Sequence, residues 1–342
     1  MNNIPKVSVI MSVYNEPEEW LRIAMDSIFT QTFSNFEFII INDNPDNQTN
    51  DKVLKEFAKK DQRLVIIENE KNIGLTKSLN KGLKVAKGEY IARMDADDIS
   101  LSQRFERQVE YLDKHSEILC VGSWTGSIDD KGNRLETVGR YESDYRWVRA
   151  QFIQNSQISH PAAMFRRIIN NKLVQYDETV RYAQDYSLMV SILEYGEIAN
   201  LPEILFCYRT SEIQITSSKR SEQQACAFKA QKMAFSVLGM KASPQFIELF
   251  HQLTIRHDMN QSCDVVIDEF QRFFANNKVN KNNTLILGVI YGTFLSYFLN
   301  RNSRSWKKTI PNALKYSTPS MQVLGIKFFY HLLKRKLNRK RR

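Results

Sequence analysis

In the run YIARMDADDIS, residues 90–100, an apolar stretch ends at Met94 and three carboxylates follow within four residues: Asp95, Asp97 and Asp98. Like charges this close repel, and each needs water or a partner. A D-x-D pair suits a hard divalent cation, Mg²⁺ or Mn²⁺, which takes one or two carboxylates and completes its shell with phosphate oxygens and water. The same residues also read as a polar turn in which Asp98 caps the next helix. Asp43 closes another apolar run, FEFIIINDN. Its carboxylate can accept the imide N–H of a base or close an Asx turn. Lys77, in NIGLTKSLNKGL, falls in the first turns of a helix, where an ammonium group and the helix N-terminus together suit a phosphate; otherwise it is an ordinary exposed lysine. Neither G-x-x-x-x-G-K-[ST] nor G-x-G-x-x-G occurs, so the glycine-rich phosphate cradles are excluded.

These side chains must be positioned by regular elements. Residues 6–13, 36–42, 64–67 and 89–94 are short β-rich apolar runs, and amphipathic helical patterns separate them. Pro17 opens the first helix, with Trp20, Leu21, Ala24 and Ile28 on one side. The second turns Val53, Leu54 and Phe57 inward, and the third Leu75, Leu79 and Leu83. Strand and helix in alternation predict a mostly parallel, Rossmann-like α/β sheet covered by helices, and such sheets bind ligands beyond the carboxyl ends of their strands. Tyr14-Asn15-Glu16, Asp43-Asn44 and Asp95–Asp98 all stand at those ends. Further on, the pattern predicts a helix over 102–114, a strand ILCVGSW, a DDKGN turn, helices near 144–154 and 184–194, and a strand EILFCYR at 203–209. From about 216 it reads as helices alone, giving domains 1–215 and 216–342.

The net charge of +10 is concentrated in the last sixteen residues, KFFYHLLKRKLNRKRR, which hold eight Lys/Arg and no acid. The near-balanced remainder excludes a nucleic-acid-binding globule, and the tail reads as an amphipathic helix for an anionic membrane surface or as a solvated basic end. Residues 284–299, TLILGVIYGTFLSYFL, are uncharged but shorter than the roughly twenty residues a membrane span needs, so a buried core helix is expected, with a membrane-embedded helix as the alternative. Four widely separated cysteines and the start MNNIPKVSVIMSVY predict reduced thiols, no signal peptide and a cytoplasmic location at the inner face of the plasma membrane.

The succession VSVIMSVYNE, FEFIIINDN, NIGLTKSLNKG and GEYIARMDADD resembles the family 2 glycosyltransferases over roughly residues 6–215. The resemblance implies the GT-A fold followed by a helical C-terminal region. It also implies an inverting hexosyltransferase that uses a nucleoside-diphosphate sugar with Mg²⁺ or Mn²⁺, in the synthesis of a surface polysaccharide such as a capsule or O-antigen. Carried over residue by residue, it puts Ser12, Tyr14 and Glu16 near base and ribose. Asp43 falls on the base, and Asn72, Gly74, Lys77 and Asn80 on the donor. Asp95-Ala96-Asp97 is its D-x-D, with Asp97 the direct metal ligand. The family's catalytic carboxylate matches Asp185 in RYAQDYSLMVSIL, where Gln184 replaces a common glutamate. Without the resemblance, Asp185 reads as an acid at a helix N-terminus.

His160, in ISHPAAMF, can face acceptor or donor phosphate, or be structural; Trp124 can stack on a sugar or pack in the core. UDP is the preferred donor nucleotide because Asp43 suits an imide N–H, which dTDP shares. The expected acceptor is a saccharide, free or lipid-linked. A nucleotidyltransferase and a non-catalytic scaffold in a membrane assembly are the alternatives.

Overall fold

The computed structural model describes residues 4–210, 220–256, 262–280 and 282–301. They fall into two compact units, one within Met1–Val148 and Ser156–Arg220, the other within Arg149–Asn155 and Ser221–Arg342.

The first unit is built on strands β1 (Val7–Val13), β2 (Phe36–Asn42), β3 (Leu64–Glu68), β4 (Tyr90–Met94), β5 (Ile99–Ser100), β6 (Ile118–Ile128), β7 (Arg134–Gly139), β8 (Met164–Arg166), β9 (Ile168–Ile169), β10 (Lys172–Leu173) and β11 (Glu197–Arg209). Its helices are α1 (Glu18–Phe29), α2 (Gln48–Lys60), α3 (Leu75–Val85), α4 (Arg104–Lys114), α5 (Tyr145–Gln151), whose last residues join the second unit, and α6 (Gln184–Leu193). The main sheet runs β3-β2-β1-β4-β8-β6-β11-β5, with β7 beside β6, and β9 and β10 form a separate pair.

The parallel half is the one the apolar runs predicted. β1 pairs in parallel with β2 and β4, and β2 with β3. VSVIMSV is buried almost throughout, as a strand covered on both faces must be. Val9, Met11, Phe38, Ile40, Ala92 and Met94 pack with α1, α2 and α4, while Ile10 and Ile41 face α3. β8 then pairs antiparallel to both β4 and β6, which makes the whole sheet mixed. The chain passes between strands closely enough that a Cβ at Gly88 would lie 2.5 Å from the Ser8 nitrogen. Three local expectations need correction. Leu75, the first residue of α3, is 37% exposed, and Leu79 and Leu83 carry the helix's inward face. The strand expected at 203–209 begins at Glu197. Asp98 does not cap α4, whose cap position is Gln103; β5 intervenes.

The second unit contains α7 (Arg220–Val237), α8 (Pro244–His251) continuing into a π-helical turn (Gln252–Arg256), α9 (Cys263–Asn276) and α10 (Thr284–Arg301). Its core is aromatic, with Phe246 stacked on Phe273 at 4.2 Å and Phe235 edge-on to Phe250. Ile286, Leu287, Val289, Ile290 and Phe294 of α10 are buried, the core-helix expectation for 284–299. Among the described residues, no helix is long and apolar enough to cross a membrane. The basic tail lies outside the described residues.

Candidate functional site

Met11 stands opposite Met94 in the β1–β4 register, so Tyr14–Glu16 and Asp95–Asp98 leave the sheet side by side at its carboxyl end. Asp95, Asp97 and Asp98 each offer a carboxylate oxygen, and these oxygens lie within 4.8 Å of one another. Asp98 is buried; its Oδ1 accepts the Arg209 N–H at 2.7 Å, and its Oδ2 has no hydrogen-bond partner. An oxygen-only donor set with an orphaned carboxylate oxygen fits a hard divalent cation. The electrostatics agree. Burial, then the neighbouring Asp95, push the Asp97 carboxyl up to about 6. Burial and both neighbours push Asp98 well above the usual carboxylate range. Glu16, whose Oε2 accepts the Tyr14 N–H at 2.8 Å, is pushed up to about 7 by burial, with Asp97 and Asp95 adding to the rise. A cation would relieve all three.

Beneath the carboxylates lies a positive charge. Arg93 on β4 is fully buried and forms an ion pair with Asp95, and its Nε has no hydrogen-bond partner. An isolated buried guanidinium is costly, so acids around it stabilise it while it stabilises them. Burial works to lower its pKa, but Asp95, Tyr176 and Asp98 hold it above the ordinary value. On the opposite face of the sheet, Arg104 is also buried and donates from Nη2 to the Arg93 carbonyl at 2.8 Å and the Ala163 carbonyl at 3.2 Å. Burial and Arg93 push its guanidinium down to about 9.

Asp185 reaches the same field from the start of α6. The residue before the helix, Ala183, has φ of 55°, a left-handed conformation that a non-glycine residue adopts only at a cost. Burial raises the Asp185 pKa; the Tyr186 N–H and Arg93 oppose the rise and Asp95 adds to it. His160 Nε2 lies 2.7 Å from the Tyr176 hydroxyl, and burial followed by Arg93 holds its imidazole neutral, with its pKa well below normal. Tyr141 bonds through its hydroxyl to Ser159 and Thr125 and feels Asp185, and its carbonyl accepts Trp124 Nε1 at 2.9 Å. The arrangement offers a carboxylate cluster whose oxygens could hold a cation, an elevated carboxylate able to take a proton, and aromatic walls.

The sequence matches the profile described as Glycosyl transferase family 2 over residues 8–174. An uncharacterised glycosyltransferase of Methanocaldococcus jannaschii is 39% identical over 54% of this chain and 64% of its own length, so the chain spans less than two thirds of that relative. The Amylovoran biosynthesis glycosyltransferase AmsE of Erwinia amylovora is 32% identical over 62% of this chain and 79% of its own. A glycosyltransferase of Haemophilus influenzae is 33% identical over 68% and 74%.

The chain belongs to glycosyltransferase family 2. It is a transferase with the GT-A fold. S. aureus TarS, solved with UDP-GlcNAc, matches with a TM-score of 0.57 at 16% identity, over 91% of this chain and 90% of that one. The mannosyltransferase PcManGT from Pyrobaculum calidifontis, solved with GDP-Man and Mn²⁺, matches with a TM-score of 0.54 at 17% identity, over 92% and 87%.

In this glycosyltransferase the predicted residues fall into groups. Glu16, Asp95, Asp97 and Asp185 share one electrostatic field. Ala96 is buried in the core between the aspartates. Ser12 is half-buried on β1, Tyr14 is exposed, and the Asp43 N–H donates to the Val13 carbonyl at 2.8 Å. Asp43 already has internal work: Oδ1 accepts Asn69 Nδ2 and the Ile73 N–H at 2.7 and 2.9 Å, and Oδ2 accepts the Gly74 N–H at 2.9 Å. It thereby pins the loop entering α3, where Gly74 has φ of 86°. Asn72 and Lys77 are exposed on this loop and the first turn of α3. Asn80 turns inward and bonds the Tyr176 backbone through both N–H and C=O, so it shapes the wall behind the site. Gln184 is half-buried at the first position of α6, beside Asp185. The sequence reading missed Arg93, Tyr141, Tyr176 and Arg209. Only Arg93 carried a signal, a cation inside an otherwise apolar strand.

Proposed function

We propose that the chain transfers a glycosyl group from a nucleoside-diphosphate sugar, with UDP as the preferred nucleotide, to a hydroxyl of a saccharide or lipid-linked saccharide, with inversion, in the synthesis of a surface polysaccharide. The observation that carries the reading is the convergence of Asp95, Asp97, Asp98 and Asp185 around the buried Arg93, with Glu16 beside Asp97 and Asp95. Asp97 and Asp95 would hold Mg²⁺ or Mn²⁺, which when bound supplies positive charge opposite the departing diphosphate. Lys77 would add to that charge from the α3 N-terminus. Asp185, its pKa raised by burial, takes the proton of the acceptor hydroxyl as that oxygen bonds to the anomeric carbon and the bond to the diphosphate breaks. A single displacement needs one base and no carboxylate nucleophile. AmsE, named for amylovoran biosynthesis, supports the biological role, and TarS with UDP-GlcNAc and PcManGT with GDP-Man and Mn²⁺ support the donor class and the metal. The enzyme would work at the cytoplasmic face of the membrane, with its basic tail on anionic lipid.

Calorimetric titration with UDP, dTDP, GDP and ADP, each with Mn²⁺ and with EDTA, tests the reading. Tight binding of one diphosphate, lost with EDTA and in Asp97→Asn, is expected. Binding that ignores the metal would leave the aspartates as turn residues, and no binding of any nucleotide would turn the assignment towards a scaffold.

A further inference from the structure

Arg209, the last residue of β11, stands far along the chain from the aspartates yet holds their turn. Its backbone N–H donates to Asp98 Oδ1 at 2.7 Å. Its Nε donates to the Asp97 carbonyl at 2.6 Å. Its Nη1 donates to the carbonyls of Asp129 and Asp130 at 2.8 and 3.1 Å. The indole of Trp20 lies 4.8 Å from its Cζ, and Trp20 Nε1 donates to the same Asp130 carbonyl at 2.9 Å. The side chain is fully buried.

A guanidinium is planar, so its Nε–H and Nη1–H directions are fixed relative to one another. The Asp97 carbonyl and the carbonyls of the β6–β7 turn are therefore held at one set spacing. With the Asp98 carboxylate also tied to the Arg209 backbone, the 97–98 peptide is clamped at both ends. The β6–β7 turn is itself prearranged. Asp129 Oδ1 accepts the N–H groups of Lys131 and Asn133 at 2.9 and 2.8 Å, and Oδ2 accepts Asn133 Nδ2 at 3.0 Å. Lysine at 209 would keep the charge but not the fork.

We infer that Arg209 is a positioning residue for the Asp97–Asp98 turn and couples it to the exposed 129–133 turn, so that divalent-cation affinity depends on side chains that touch no ligand. The inference rests on the metal role proposed for Asp97. Residues that orient metal ligands are typically worth about 10- to 100-fold in metal affinity. Free Mn²⁺ counted by electron paramagnetic resonance, in the presence of UDP, gives the affinity without recourse to turnover. Arg209→Lys should weaken Mn²⁺ binding by about 10-fold or more. Asp129→Ala, in an exposed turn and safe for folding, should weaken it by a smaller factor in the native background and add nothing in Arg209→Lys. Native affinity in Asp129→Ala overturns the inference even if Arg209→Lys fails to fold, and so does strict additivity of the pair. Wild-type protein that binds no Mn²⁺, or Asp97→Asn that binds it as wild type does, overturns the proposed function and this inference together. Normal behaviour of those two with unaffected Arg209 and Asp129 variants overturns the inference alone.

Discussion

The Arg93–Asp95 pair is asymmetric, and the asymmetry makes a prediction. The Arg93 side chain is 2% exposed and that of Asp95 33%. Asp95→Asn strands a buried guanidinium that already has one nitrogen without a partner, a situation worth about 3–5 kcal/mol of destabilisation. Arg93→Met leaves Asp95 able to rehydrate, and the buried Asp98 and Asp185, both already raised, can take up protons, which limits the loss to about 1 kcal/mol. The two variants break the same ion pair, yet they should differ by about 2–4 kcal/mol. The chain has two units, so one global unfolding energy is not well defined for it. Amide hydrogen exchange along β4, measured in EDTA, reports the local value. Protection of Tyr90–Met94 should fall about 30- to 700-fold further in Asp95→Asn than in Arg93→Met, at tenfold per 1.4 kcal/mol. Equal losses would refute the argument, because they would mean that exposure does not decide which partner suffers.

Asp97 and Glu16 have folded-state pKa values of about 6 and about 7, above their ordinary values. The folded state therefore binds more protons than the unfolded one, and the stability of metal-free protein should fall as pH rises from about 4 to about 7, read from denaturation midpoints across that range. In the same window Mn²⁺ binding should tighten with pH and release protons, measured by calorimetry in buffers of different ionisation heat. Asp185→Asn should lower kcat by about 10²- to 10⁴-fold, with donor binding intact by titration. Gly88→Ala places a methyl against the Ser8 backbone and should cost about 1–3 kcal/mol locally, measured by amide hydrogen exchange along Val7–Val13.

The parallel half of the sheet was legible because its signals are local. VSVIMSV and FEFIIIN are buried strands on composition alone. The acids were legible for the same reason, as they stand at the ends of those runs. What escaped is what arrives from elsewhere in the chain. Arg209 ends EILFCYR like any strand-end cation, and nothing near it names Asp97 as its partner. Tyr176 joins His160 only because Asn80 fixes the intervening loop from α3. Asp43 fits an imide by type, but its three internal bonds are invisible without Asn69 and Gly74 in place. β8 is three residues long and too short for any periodicity to announce it.

That short strand has a consequence for the newborn chain. β4 is complete at Met94, but its second neighbour begins only at Met164, seventy residues later. At roughly 5–20 residues per second of synthesis, one flank of an apolar strand stays open for roughly 4–14 seconds. An unpaired strand flank is a template for the wrong partner, and charge placed in or beside it blunts the hazard. Arg93 and the three aspartates that follow it are such charges. The charges that surround the candidate cation site thus also sit where an open β4 flank would otherwise be most exposed to a wrong partner.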